Sequence, residues 1–164
     1  MKRPDEVGWR PIVGTLALAV LLEQLPWSGL ALLLRPDFVL VGVLFWALYQ
    51  TGRIAFGAAF VFGLLADFQD GVVFGQHAIA YVIAVYLVLF LRLRLLQFDP
   101  FRQAAQLFPI LLTAQLAVLL IGWLAVKPPV NLAILMPVAG STVLWYLLAL
   151  FTRAWHGKGL QDTA

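Results

Sequence analysis

The sequence predicts an all-α integral membrane protein of six transmembrane helices, and three observations lead there. Of its 164 residues, 63% are hydrophobic and 12% charged, with a mean hydropathy of +0.94, far above that of a soluble domain. Charges fence off long uncharged runs: 24 residues between Arg102 and Lys127, 25 between Lys127 and Arg153, and 21 between Asp70 and Arg92. Each is long enough for a helix of about 20 residues across a hydrocarbon core of roughly 30 Å. The basic residues also divide unevenly. With the N-terminus in the cytoplasm, Lys2, Arg3, Arg10, Arg53, Arg92, Arg94, Arg102, Arg153 and Lys158 fall inside and only Arg35 and Lys127 outside. Nine against two is a strong positive-inside bias, and merging or dropping a span scrambles it.

Both termini are therefore expected in the cytoplasm: residues 1–10 as a short basic lead, 11–152 as one membrane domain, and 153–164 as a disordered tail. With no cysteine, the chain has no disulfide, thiolate nucleophile or Cys metal site.

Taken in order, Trp9 beside Arg10 reads as an interface anchor. The first span follows from Pro11 to Leu22. A basic start and an apolar run also describe a signal peptide, but no small-x-small cleavage site follows, so this is read as a retained helix. Glu23 reads as a helix-end residue reaching interfacial water, the alternative being a buried contact to another helix. Arg35, Pro36 and Asp37 form a polar hinge opening the second span, where Pro suits a first helical turn and Asp complements the helix dipole. The second and third spans are short, with 15 uncharged residues between Asp37 and Arg53 and 13 between Arg53 and Asp67. Along the third, Gly52, Ala55, Ala59, Gly63 and Ala66 make a stripe of small residues at steps of three and four, which lets helix backbones approach closely.

The most polar stretch follows, GLLADFQDGVVFGQHA over residues 63–78. Asp67 and Asp70 close one apolar segment, Gly71 and Gly75 permit a turn, and Gln76 and His77 open the next. Asp67 can satisfy orphan amides of the turn or of the next helix, and His77 is expected to bond Tyr81 one turn along or a loop carbonyl. The fourth span ends in Arg92 and Arg94. The fifth, from Phe101 to Leu124, is expected to kink near Pro109. Lys127, Pro128 and Pro129 make a tight connection to the sixth, which carries Pro137 and the small run Ala139, Gly140, Ser141 and Thr142.

Enzyme signatures are missing from the sequence. It has no phosphate-binding glycine loop, no His-Glu-x-x-His helix, no Gly-x-Ser-x-Gly elbow and no paired zinc ligands. No catalytic residue, metal or cofactor is expected, and no nucleic acid. The rival class is a small-molecule carrier or transporter substrate-binding subunit, since acidic and histidine residues beside glycine-broken helices build such sites. No inverted repeat is visible between the two halves.

At LRPDFVLVGVLFWALY and FGLLADFQDGVVFGQHAIAY the sequence strongly resembles the rod shape-determining membrane protein MreD family. The family's Arg-Pro-Asp element falls on Arg35, Pro36 and Asp37. Its aspartate, glycine turn and Gly-x-His-Ala fall on Asp67, Gly71, Gly75, Gln76, His77 and Ala78. The Arg92-x-Arg94 end and the chain length fit as well. The resemblance implies a non-enzymatic inner-membrane subunit of the bacterial elongasome, supporting cell shape and lateral peptidoglycan synthesis. Its fold would be similar to the six-helix substrate-binding (S) subunits of vitamin-uptake ECF transporters. Its implied partners are MreC, MreB, and RodA with its penicillin-binding transpeptidase, in contact with membrane lipids; a homodimer is also allowed.

Overall fold

Apolar runs interrupted by Gly, Pro and short polar hinges have one way to satisfy their backbone in lipid, which is to close hydrogen bonds within each segment. The computed structural model describes residues 8–50, 54–126 and 132–159, and every regular element among them is helical. In order these are α1 (Trp9–Glu23), α2 (Gly29–Leu33), α3 (Phe38–Tyr49), α4 (Ile54–Asp70), α5 (Gln76–Phe90), α6 (Arg92–Gln97), α7 (Pro100–Val126), a 3-10 turn (Leu132–Leu135) and α8 (Met136–Gly159).

Hydrogen bonds between helices show how they alternate in direction. At one end, the last residue of α1 meets the first turn of α3 through Glu23 Oε1 and the Val39 amide (3.2 Å). The start of α3 meets α5 through Asp37 and Tyr81, and meets α8 through the Asp37 amide and Ser141 Oγ (2.9 Å). At the opposite end, Arg92 Nε donates to the Leu48 carbonyl (2.8 Å), and Trp46 Nε1 to Thr15 Oγ1 (2.8 Å). There too Gln103 bridges α6, α7 and α8, donating to the Leu95 carbonyl and accepting from Trp145 Nε1.

Inside, Leu44, Leu48, Leu107, Trp145, Val85 and several alanines are buried. The exterior too carries many large apolar side chains. Leu30, Phe68, Phe74, Phe90, Leu93 and Phe101 are each 70–77% exposed, more large apolar surface than water tolerates on a monomer and what a lipid-facing body carries.

Helix lengths differ from the six full spans expected. Among the described residues one helix, Pro100–Ala125, is long and apolar enough to cross a membrane by length and composition. Phe38–Tyr49 and Gln76–Phe90 are shorter apolar helices of 12 and 15 residues. A charge-to-charge run overestimates helix length where a turn consumes part of it. Between Asp70 and Arg92 the glycine turn takes residues 71–75 before α5 begins.

Other details also depart from the sequence expectation. Arg92 and Arg94 do not end α5 but lie in α6, a separate short helix after the break at Leu91. The chain past Arg153 is not a disordered tail throughout: α8 continues to Gly159, since no proline stops it. The fifth span is α7, which holds Pro109 inside it, as the sequence places it, with Thr113 Oγ1 donating to the Pro109 carbonyl (2.8 Å). Residues 1–7, Gly52, Arg53, the Lys127–Pro128–Pro129 connection and residues 160–164 lie outside the described residues.

Candidate functional site

α4 ends at Asp70, and Gly71 (φ +63°) and Gly75 (φ +97°) then reverse the chain in conformations that other residues rarely adopt. Gly75 is the N-cap of α5 and has no side chain to cap with, so the first amides of α5 need an acceptor from elsewhere. Asp67 supplies it from the preceding helix. Its carboxylate is fully buried and accepts from the Gly75 amide (2.7 Å) and the His77 amide (2.7 Å). His77 Nδ1 stands 2.9 Å from the same carboxylate, and an acceptor-only partner places the ring proton on Nδ1. Nε2 is left facing Asp70 Oδ2 at 3.7 Å. His77 therefore pairs with Asp67 rather than with Tyr81 or a loop carbonyl; the Tyr81 ring stands edge-on to it at 6.0 Å.

The corner closes because α4 and α5 touch backbone to backbone. A Cβ on Gly63 would run into the Ala78 Cα, and would meet the Ala78 amide nitrogen at 2.7 Å. Ala55, Ala59 and Ala66, further along the stripe, are buried.

The Arg-Pro-Asp hinge arrives at this same end. Asp37 caps α3 by accepting from the Leu40 amide (2.7 Å), and the Tyr81 hydroxyl lies 2.8 Å from both of its carboxylate oxygens. Arg35 Nη1 donates to the Glu23 carbonyl (3.2 Å), and the Glu23 carboxyl faces that of Asp37. Glu23 is thus a contact between helices as well as a helix end.

Between hinge and corner lies a cavity of about 230 Å³. Of the residues singled out in the sequence, Glu23, Arg35, Pro36, Asp37, Ala66, Asp70, Gln76, His77 and Pro137 reach its wall; Asp67 bonds His77 without lining it, and Gly71 and Gly75 shape the turn. Among the described residues no three His, Asp or Glu side chains converge as a metal site.

A family model described as rod shape-determining protein MreD matches residues 9–155, from the start of α1 into the last turns of α8 and across both motifs. The chain belongs to the MreD family. An MreD relative, the rod shape-determining protein MreD of Haemophilus influenzae, is 28% identical over 80 residues. That match covers 49% of this chain and 49% of the relative, so the chain spans about half the length of the curated relative it matches. No solved structure matches it. MreD proteins are shape-determining structural proteins of the membrane.

Within this MreD chain, sequence reasoning passed over Tyr81 and Gln115, which line the cavity, and Ser141, which bonds Asp37, as site residues. Tyr81 carried a signal, being a hydroxyl inside the apolar run AIAYVIAV one turn after His77. Ser141 carried little, because a serine in a small-residue run reads as packing until Asp37 is seen to bond it.

Proposed function

We propose that this MreD protein is a non-catalytic inner-membrane subunit that binds MreC and helps couple MreB filaments to wall synthesis by RodA and its penicillin-binding transpeptidase. The single observation that carries this reading is the family match over residues 9–155, which takes in the hinge and the corner together. A multi-pass topology goes with it, in which α1, α3, α4, α5, α7 and α8 cross the membrane with both termini cytoplasmic and the corner outside. The apolar exterior and the nine-to-two division of basic residues support that orientation. The proposed body is similar in kind to the S subunits of ECF transporters, a likeness that rests on the family resemblance.

Co-purification tests the binding claim. Tagged MreD extracted in mild detergent is expected to retain co-expressed MreC through size exclusion. Monodisperse, folded MreD that never retains MreC overturns it.

A further inference from the structure

We infer that the connection between α1 and α3 is a re-entrant segment, with α2 lying among lipid acyl chains rather than in the water beyond the membrane. The inference rests on the multi-pass reading above and adds to it the depth of this connection.

Helix length is the first observation. α1 has 15 residues and α3 has 12, about 22 and 18 Å of helix, against about 40 Å for the 27 residues of α7. Trp9 and Arg10 anchor the start of α1 at one interface. Its other end, Glu23, then falls about 8 Å short of the far edge of a hydrocarbon core of roughly 30 Å. The first turn of α3 meets Glu23 at that same depth. Chain that continues from there is still inside the bilayer.

The second observation is what that chain carries. The connection takes residues 24–37, more than the roughly 2 to 8 that usually join packed antiparallel helices. Residues 24–34 contain no charged side chain. Leu25, Leu30, Leu32, Leu33 and Leu34 are 40–77% exposed, and no residue of α2 is buried. Leu30, Leu33 and Leu34 share one face by helical spacing and Leu32 lies on the other, so α2 has no polar side to turn to water.

The third observation is that the segment is held in this posture. At its start the Trp27 ring stacks on Phe38 (5.9 Å), and Trp27 Nε1 donates to the Leu22 carbonyl (3.0 Å). At its end the Leu34 carbonyl packs so closely on Gly140 of α8 that a Cβ there would run into it. Between these clamps Gly29, at φ +59°, turns the chain. The flanking charges face inward: Arg35 donates to the Glu23 carbonyl, and Glu23 accepts from the Val39 amide. Charged groups below a membrane surface are expected to bond within the protein in this way. Acyl chains are the occupant that fits, because α2 offers its surroundings only glycine, leucine and alanine side chains and is continuous with the apolar exterior of the bundle.

Leu30→Cys and Leu33→Cys carry the test, both at exposed positions in a chain with no cysteine. Each variant is labelled in detergent with a nitrobenzoxadiazole thiol dye and reconstituted into phosphatidylcholine liposomes without MreC. Iodide on both sides of the membrane is the aqueous quencher, and phosphatidylcholine brominated in its acyl chains is the lipid quencher. Brominated lipid is expected to quench more than iodide at both positions. The reverse order puts α2 in water and overturns the inference; it is also the result if a partner protein, absent here, is what normally covers the segment. Where the two positions disagree, Leu30, the more exposed, decides. The same dye on Val73→Cys and Leu96→Cys, at the two ends of the bundle, tests the multi-pass reading by itself: both are expected to answer to iodide, and an end quenched only by lipid fails that reading whatever position 30 shows.

Discussion

The Tyr81 hydroxyl lies 2.8 Å from both carboxylate oxygens of Asp37, joining residues 44 apart in sequence and tying α5 to the first turn of α3. Tyr81 is almost fully buried, and Asp37 is at once cap, acceptor and, through its amide, donor to α8. Tyr81→Phe keeps the ring packing and removes only the hydroxyl. An interhelical hydrogen bond of this kind is worth roughly 1 to 2 kcal/mol. The variant is expected to fold and to unfold earlier by that amount in a denaturant titration in detergent, whereas Tyr86→Phe, on the exposed face of α5, stays at the wild-type value.

Asp67 and His77 are unequal partners. Asp67 is the acceptor for two backbone amides and a ring nitrogen, so Asp67→Ala strands all three donors in a buried place. His77→Ala removes one donor and leaves both amides bonded. Losing a buried multiply bonded carboxylate costs about 3 kcal/mol or more, against about 1 kcal/mol for a single bond. Melting temperatures of the two proteins are expected to rank Asp67→Ala well below His77→Ala, and the reverse order refutes this division of roles.

How much of this arrangement was legible beforehand depends on whether the signal was local. The turn at Gly71 and Gly75, the cap at Asp37 and the stripe through Ala59 and Gly63 are matters of residue type at fixed spacing, and such patterns survive in a bare sequence. Helix ends were less readable: α6 splits from α5 at Leu91, although RLRLLQ has no glycine or proline to mark the break. Pairings across the bundle left no mark at all. Nothing in the sequence separates Tyr81 bonding His77, four residues away, from Tyr81 bonding Asp37, because that choice is made by how the helices pack. The cavity was illegible for the same reason, since its wall is assembled from five helices, the hinge and the glycine turn.

Gly63 and Gly57 sit on the same helix, and their substitutions are expected to have opposite consequences. A Cβ at Gly63 meets the backbone of Ala78 and the His77 carbonyl carbon closer than 3.0 Å, and backbone cannot step aside as a side chain does. Gly63→Ala therefore pushes α4 from α5 and loosens the Asp67 corner, at about 2 kcal/mol or more. A Cβ at Gly57 meets nothing within 4 Å. Gly57→Ala is expected to be neutral or to stabilise by about 0.5 to 1 kcal/mol through helix propensity. Unfolding curves of the two variants beside wild type decide it, and equal effects would count against close α4–α5 packing.

The proposed orientation can be tested with few side effects, because the chain contains no cysteine. Val73 lies in the glycine turn and Leu96 at the opposite end of the bundle in α6, and both are exposed enough to carry a label. Both substitutions exchange an exposed apolar side chain for a small one, a change that leaves stability within about 0.5 kcal/mol. In intact spheroplasts, a membrane-impermeant maleimide is expected to label Val73→Cys and to spare Leu96→Cys until the membrane is opened. That result follows if the nine basic residues hold their end in the cytoplasm, as the positive-inside bias requires. Labelling of Leu96→Cys alone would invert the topology. It would also move the cavity, with its acidic wall, to the cytoplasmic side.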